Sequence, residues 1–299
     1  MKIDLLSCIE NLNMWKSGKQ RAPHKPLLLL LALSKVAEGK RLLSFENVVY
    51  PELQKLLKKY GPPRRIHHPE YPFTRLEETS DADAGFWELR TDGEMAPEKR
   101  KDNKNELIRV NAHGGFKQEI FDDLSKNTKN IELIASGILS SHFPNSIAED
   151  ICEELNFNFT NNDLDFSSRR RRDPDFRRHV LRAYRYKCAA TGWNLQIGAD
   201  HKMIGLEAAH IFWHSLDGPD TIDNGICFCK LAHNVFDNGG FSIDENFCIL
   251  ISPEIHGTVG LDLLDIKKGK SIKLPERKED HPNQEYLAWH REEVFQGYE

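Results

Sequence analysis

The sequence predicts an α+β protein of two domains: a mostly helical N-terminal domain with a small sheet over residues 1–158, and a C-terminal domain of short strands and helices over 176–299, joined by a basic linker over 159–175. Three features point that way. Apolar residues recur at helical spacing through most of the first half, with two short strand-like runs between them. Residues 156–172 are polar, then acidic, then arginine-rich, and offer little to bury. Beyond them a helical stretch over Phe176–Tyr186 leads into a strand, a loop and a further helix. At 299 residues the chain has room for two ordinary domains.

Leu5–Trp15 and Pro26–Gly39 read as helices, the second with proline in its first turn and glycine as its stop. Phe45–Lys59 carries Val48, Val49, Leu53, Leu56 and Leu57 at helical spacing, with Pro51 delaying the start and Gly61-Pro62-Pro63 ending it. His68–Phe73 reads as a stiff turn, because each proline also restricts the residue before it. Phe73–Leu76 and Phe86–Leu89 read as short strands, and Thr91–Asn105 as a polar loop. Gly114-Gly115-Phe116 precedes helical stretches at Glu119–Leu124 and Ile131–Leu139, the latter closing near Phe143-Pro144. There is no internal repeat.

Hydrophobic residues make up 39% and charged ones 29%, which suits a globular chain. The apolar run Leu27–Leu33 falls well short of the roughly 20 residues that span a bilayer, so it reads as a buried helix with no membrane role. The first residues lack the pattern of an export signal, and the six cysteines are irregularly spaced, so the expected setting is a reducing cytoplasm. A net charge of −5 argues against nucleic acid, but its distribution does not. Twelve Lys/Arg lie between Lys16 and Arg65 against Glu38, Glu46 and Glu52, and nine more between Arg169 and Lys187 against Asp173 and Asp175. Such patches make phosphate contacts; a second reading makes them a solvated helix face and a basic linker.

The C-terminal half holds a pattern of chemical interest: Cys188-Ala-Ala-Thr-Gly192, Leu206-Glu-Ala-Ala-His-Ile211, Gly218-Pro-Asp220, Asp223-Asn-Gly225, His233-Asn-Val-Phe-Asp237 and Gly240-Phe-Ser-Ile-Asp244. A strand ends at His210, a loop carries Asn224, and a helix begins near His233. This order resembles the ββα-metal fold of the HNH endonucleases. Phosphodiester hydrolysis needs a base to activate water, which suits histidine, and a divalent cation to stabilise the charge that develops. The resemblance implies His210 as general base, Asn224 holding the loop and orienting His210, and His233 as metal ligand. Asp237, four residues on and on the same helical face, is the expected second ligand. The cation expected is Mg²⁺ or Mn²⁺, with Co²⁺ or Ni²⁺ as alternatives.

The chain departs from the family's pattern in two places. Ala209 stands where many HNH nucleases carry a metal-binding residue; Glu207 is the substitute to consider, although strand alternation points it away from His210. Paired Cys-x-x-Cys motifs that hold structural zinc in many relatives are reduced here to Cys188 with Thr191 and Cys229 with Ala232. No structural zinc is therefore expected, and Cys188 and Cys229 read as buried thiols packing like small apolar residues.

In the first half, Arg21-Ala-Pro-His-Lys-Pro-Leu-Leu-Leu-Leu30, His68-Pro-Glu-Tyr-Pro-Phe73 with Arg75-Leu76, Asn111-Ala-His-Gly-Gly-Phe116 and Ser141-His-Phe-Pro144 stand in an order that resembles the sulfur-binding domain of McrA-like, phosphorothioate-dependent type IV restriction endonucleases. The resemblance implies double-stranded, phosphorothioate-modified DNA as partner. It implies Tyr71 and Pro72 at an apolar pocket for the sulfur, His24 and Lys25 flanking it beside Arg21, and a further basic residue closing the site. Arg109 is the choice for that residue and Arg100 the alternative. Other readings make His24 and Lys25 ordinary first-turn residues and Tyr71–Phe73 a core-packing turn. Two other functions stay open: a reader of methylated or hypermodified bases with the same nuclease, and a non-cleaving DNA-binding regulator. One HNH site cuts one strand per event, so double-strand cleavage needs a homodimer or sequential nicks.

Overall fold

The computed structural model describes residues 20–77, 85–95, 102–157, 173, 175–257 and 259–297. The helix expected at Leu5–Trp15, Arg100 and the linker positions 159–172 lie outside the described residues. The chain divides into two compact units, Met1–His142 with Ala148–Ser168, and Phe143–Ile147 with Arg169–Glu299. Among the described residues no helix is long and apolar enough to cross a membrane.

In the first unit, helix α1 (His24–Ala37) buries every residue of Leu27–Leu33, which is why that run has no polar face. The helix starts two residues before Pro26, since proline's missing N–H is not needed in a first turn. Gly39 takes φ +77° beyond its end. Strand β1 (Leu42–Ser44) runs into a π-helical turn, Phe45–Val49, and Pro51 opens α2 (Tyr50–Tyr60). The single helix expected from Phe45 is thus split where proline permits a fresh start.

The next segment corrects the sequence reading. His68–Phe73 and Phe73–Leu76 are neither a plain turn nor a strand: Glu70–Arg75 forms the short helix α3. Pro72 sits in its first turn, where no donor is required, and Thr74 Oγ1 donates back to the Glu70 carbonyl at 3.1 Å. Phe73 is fully buried and packs edge-on to Trp87, whose Nε1–H donates to the Phe73 carbonyl at 3.1 Å. Strand β2 (Trp87–Arg90) is followed by α4 (Lys104–Arg109), which begins inside the stretch expected to be loop, and by β3 (His113–Phe116). The three strands form an antiparallel sheet in the order β1-β3-β2. The central strand carries two glycines for a steric reason: a Cβ on Gly114 would come within 2.6 Å of the Phe73 ring, and one on Gly115 would strike the Arg41 carbonyl. Helices α5 (Gln118–Lys126), α6 (Thr128–His142) and α7 (Asn145–Glu154) complete the helical part. The sequence reading ends its helices before α7, although Ile147, Ala148, Ile151 and Cys152 are buried there at helical spacing.

In the second unit, α8 (Phe176–Ala183) precedes a small hairpin, β4 (Gln196–Ile197) and β5 (Lys202–Met203). Strands β6 (Leu206–His210) and β7 (Gly225–Cys229) pair antiparallel with His210 opposite Gly225, and α9 (Lys230–Asp237) follows directly. This is a ββα unit. A second hairpin, β8 (Phe241–Ile243) with β9 (Ile249–Ile251), and helices α10 (Val259–Leu263) and α11 (Gln284–Glu293) close it. Phe228, Phe236 and Phe241 meet at ring separations of 5.2–5.6 Å and form the centre of its core. The whole is α+β, as the sequence predicts.

Candidate active site and nucleic-acid interface

The β6–β7 connection is held from inside by Asn224, which is fully buried. Its Oδ1 accepts the Phe212 N–H at 2.8 Å, and its Nδ2 donates to the carbonyls of Phe212 and Pro219 at 3.0 and 2.9 Å. Asn224 therefore holds the loop, but its side-chain amide does not hydrogen-bond the His210 imidazole. The group that does is Asp220, whose Oδ1 lies 2.8 Å from His210 Nε2. Asp220 is held ionised: burial alone would raise its pKa, yet the Asp173 N–H and the neighbouring His210 and His214 bring it below the ordinary value. An ionised carboxylate can only accept, so Nε2 carries the proton. The imidazole also stacks on Phe176 at 4.1 Å. Asp220 is absent from the expected site residues; the sequence signal was Gly218-Pro219-Asp220, read as flanking the motif.

His233 lies on α9 between two carboxylates. Its Nδ1 is 2.8 Å from Glu207 Oε2, and its Nε2 is 3.2 Å from Asp237 Oδ2. Burial opposes its charge, but the Asp237 and Glu207 carboxylates outweigh this and raise its pKa to about 10. Asp237 accepts a further bond from Ser146 Oγ and titrates below the ordinary range, despite a burial penalty, because of His233. Glu207, two residues before Ala209 on β6, is the carboxylate that meets His233 Nδ1. The imidazole fills the gap between the carboxylates, so among the described residues no three His, Cys, Asp or Glu side chains are arranged to hold a metal ion. The donor chemistry nonetheless fits a divalent cation: two carboxylates and an imidazole already share one positive charge, which a cation replaces as the imidazole gives up a proton. Nearby, buried His290 of α11 stacks on Phe236 at 3.7 Å and donates to its carbonyl at 3.1 Å, fixing the last turn of α9.

The four positions of the reduced cysteine motifs do converge. Thr191 N–H donates to Cys188 Sγ at 3.4 Å and Thr191 Oγ1 to Cys229 Sγ at 3.9 Å. The neighbouring Cys229 thiol and the Thr191 donors lower the Cys188 pKa, while Cys188 and burial push Cys229 up. Both are free, buried thiols within the hydrophobic core of this unit, as the sequence predicts.

In the first unit, Tyr71 is held between two partners. His68 stacks on it at 4.5 Å, and the Arg75 guanidinium lies 4.6 Å from its ring centre. Arg75 is exposed and also pairs with Asp102 at 3.0 Å. Burial, followed by the charge of Arg75, lowers the pKa of Lys25. His24 and His67 have ring centres 6.5 Å apart, and the buried Nδ1 of His67 has no hydrogen-bond partner among the described residues. Burial first, then His67, His68 and Arg64, push His24 down to about 4. Pro72 is buried.

Two further expected DNA contacts, Arg21 and Arg109, hydrogen-bond within the unit. Arg21 is buried with its Nη2 on the Tyr60 carbonyl at 2.6 Å, so it ties the chain ahead of α1 to the end of α2. Arg109 is committed to the buried carboxylate of Glu106 at 2.6 Å and to the Glu94 carbonyl at 3.0 Å. Arg75 was missed because Phe73–Leu76 was read as a strand. On a helix it falls four residues after Tyr71, on the same face.

A ββα unit whose strand, loop and helix carry His210, Asn224 and His233 defines an HNH endonuclease, and residues 188–244 match that family. Residues 2–159, more than half the chain, match the family described as ScoMcrA-like, DNA sulfur-binding domain, and the chain belongs to it. The protein is a modification-dependent restriction endonuclease of the HNH type. Among solved structures it is similar to the sulfur binding domain of ScoMcrA complexed with phosphorothioated DNA, at 19% identity over 50% of this chain and 96% of that one, with a TM-score of 0.41. The corresponding SprMcrA complex gives 21% identity over 51% and 92%, with a TM-score of 0.42. The type IV phosphorothioation-dependent restriction endonuclease ScoMcrA gives 19% over 50% of this chain and 32% of its own, with a TM-score of 0.40. Among curated proteins none matches.

Proposed function

We propose that the protein binds phosphorothioate-modified double-stranded DNA through its first unit and cuts phosphodiesters at the HNH site. The observation that carries the first half is Tyr71, held between the His68 ring and the Arg75 guanidinium beside Lys25, His24 and His67. A non-bridging sulfur is larger, softer and less hydrated than oxygen, so an aromatic face suits it, while adjacent cations suit the backbone charge. His67 Nδ1 supplies a further polar contact.

At the HNH site, His210 takes the proton from the attacking water through the nitrogen opposite Asp220. Glu207, His233 and Asp237 would hold a divalent cation, Mg²⁺ or Mn²⁺ by their donor types. That cation, when bound, stabilises charge on the phosphate and the departing 3′ oxygen. Asn224 keeps the loop closed.

The test compares one duplex carrying a phosphorothioate of defined stereochemistry with its unmodified twin, in binding and in Mn²⁺- or Mg²⁺-supported cleavage. Tighter binding of the modified duplex by tenfold or so, with cleavage abolished by His210→Ala, is the expected result. Equal affinity for both removes the sulfur reading and leaves the nuclease untouched.

A further inference from the structure

We infer that Asp220 is the positioning residue of the nuclease, holding His210 in the tautomer that accepts the water's proton, and that Asn224 acts through it. This rests on His210 being the general base. Both carboxylate oxygens of Asp220 are committed. Oδ1 takes the His210 Nε2–H at 2.8 Å, while Oδ2 accepts the Asp173 backbone N–H at 2.7 Å and lies 3.8 Å from His214 Nε2. The carboxylate therefore cannot rotate away from the ring. Side-chain exposure of the pair is 9% and 13%, low enough for the interaction to escape most screening by water.

The same loop explains the role of Asn224. Its Nδ2 grips the carbonyl of Pro219, the residue immediately before Asp220, and both its amide groups hold Phe212, two residues past His210. Both ends of the His210–Asp220 contact are thus anchored to one buried amide. Gly218 lets the chain make the approach, because a Cβ there would strike the Phe212 carbonyl. From α8, Phe176 closes the far face of the ring, and on β7 the residue opposite His210 is Gly225. Among the described residues, the titratable side chains seen to face His210 include Asp220 and His214.

The chemistry needs such a partner. A histidine base must present one lone pair in a fixed direction, and the imidazolium formed on proton uptake is stabilised by a carboxylate on its other nitrogen. With the proton fixed on Nε2, the lone pair sits on Nδ1.

The experiment uses the full chain with Asp220→Asn, Asp220→Ala and His210→Ala. Single-turnover cleavage is followed against pH, with ¹⁵N histidine spectra reporting the His210 tautomer. Asp220→Ala is expected to slow cleavage about 10²-fold with DNA affinity unchanged, and to lose the fixed Nε2–H tautomer. Asp220→Asn keeps an acceptor but not the charge. It should be slowed less, with the acid limb of its profile moved about one unit to lower pH. A wild-type rate and acid limb in Asp220→Asn, with His210→Ala inert, overturns the positioning role alone. Cleavage by His210→Ala at the wild-type rate overturns the general-base reading, and Asp220's role with it.

Discussion

At the scale of single residues, the two histidines of the nuclease are treated in opposite ways. His210 has one nitrogen on a carboxylate, whereas His233 has both nitrogens on carboxylates. The first arrangement suits a base, and the second makes a charged cluster. Asp237→Asn is therefore expected to cut cleavage by about 10–100-fold and to raise the Mn²⁺ concentration that supports it, read by titrating the metal in a nicking assay. His24 offers a test of a different kind. The unfolded chain gains its proton near pH 6.5, the folded chain only near 4, so the unfolded state binds more protons between those values. Stability linked to His24 is complete above pH 6.5 and is lost as pH falls towards 4, by at most about 3 kcal/mol. Denaturation of wild type and His24→Gln should show a stability difference that varies across that window and is flat above it.

At the scale of elements, what could be read ahead depended on how local each interaction is. The leucine run of α1 and the four-residue step from His233 to Asp237 follow from helical periodicity alone. The partnership of His210 with Asp220 does not, because it is made by a loop folding back ten residues later. Pro69 and Pro72 within His68–Phe73 suggest a turn, yet both sit at the start of Glu70–Arg75, where a helix tolerates them. β3 was missed because His-Gly-Gly-Phe has little intrinsic strand preference, and its pairing with β1 and β2 depends on distant residues. The same strand gives a sharp prediction. Gly114→Ala pushes a methyl into the Phe73 ring and should destabilise the protein by about 1–3 kcal/mol in chemical denaturation. Gly93→Ala meets nothing within 4 Å and should be close to neutral by comparison.

At the scale of the whole molecule, the proposed DNA-reading residues and the proposed nuclease residues lie in separate compact units. His210→Ala should accordingly keep its affinity for modified DNA while cutting nothing. Lys25→Ala should reduce affinity for modified and unmodified duplexes alike and lower the salt dependence of binding by about one phosphate contact, seen in titrations at several salt concentrations. The two-domain plan was legible from composition, since the polar, arginine-rich stretch interrupts the apolar pattern. The carboxylate arrangement in each unit was not, because it is set by packing across the chain.

The buried thiols of Cys188 and Cys229, both bonded by Thr191, have a practical consequence. The end of β7, from which α9 departs with His233 and Asp237, is fastened to the Cys188–Thr191 turn by the Thr191 hydroxyl and the Ala189 N–H. Catalysis and folding should then respond to different reagents. A chelator that silences cleavage is expected to leave the melting temperature where it was, whereas a thiol-alkylating agent reaching the pair should melt the module whatever metal is supplied.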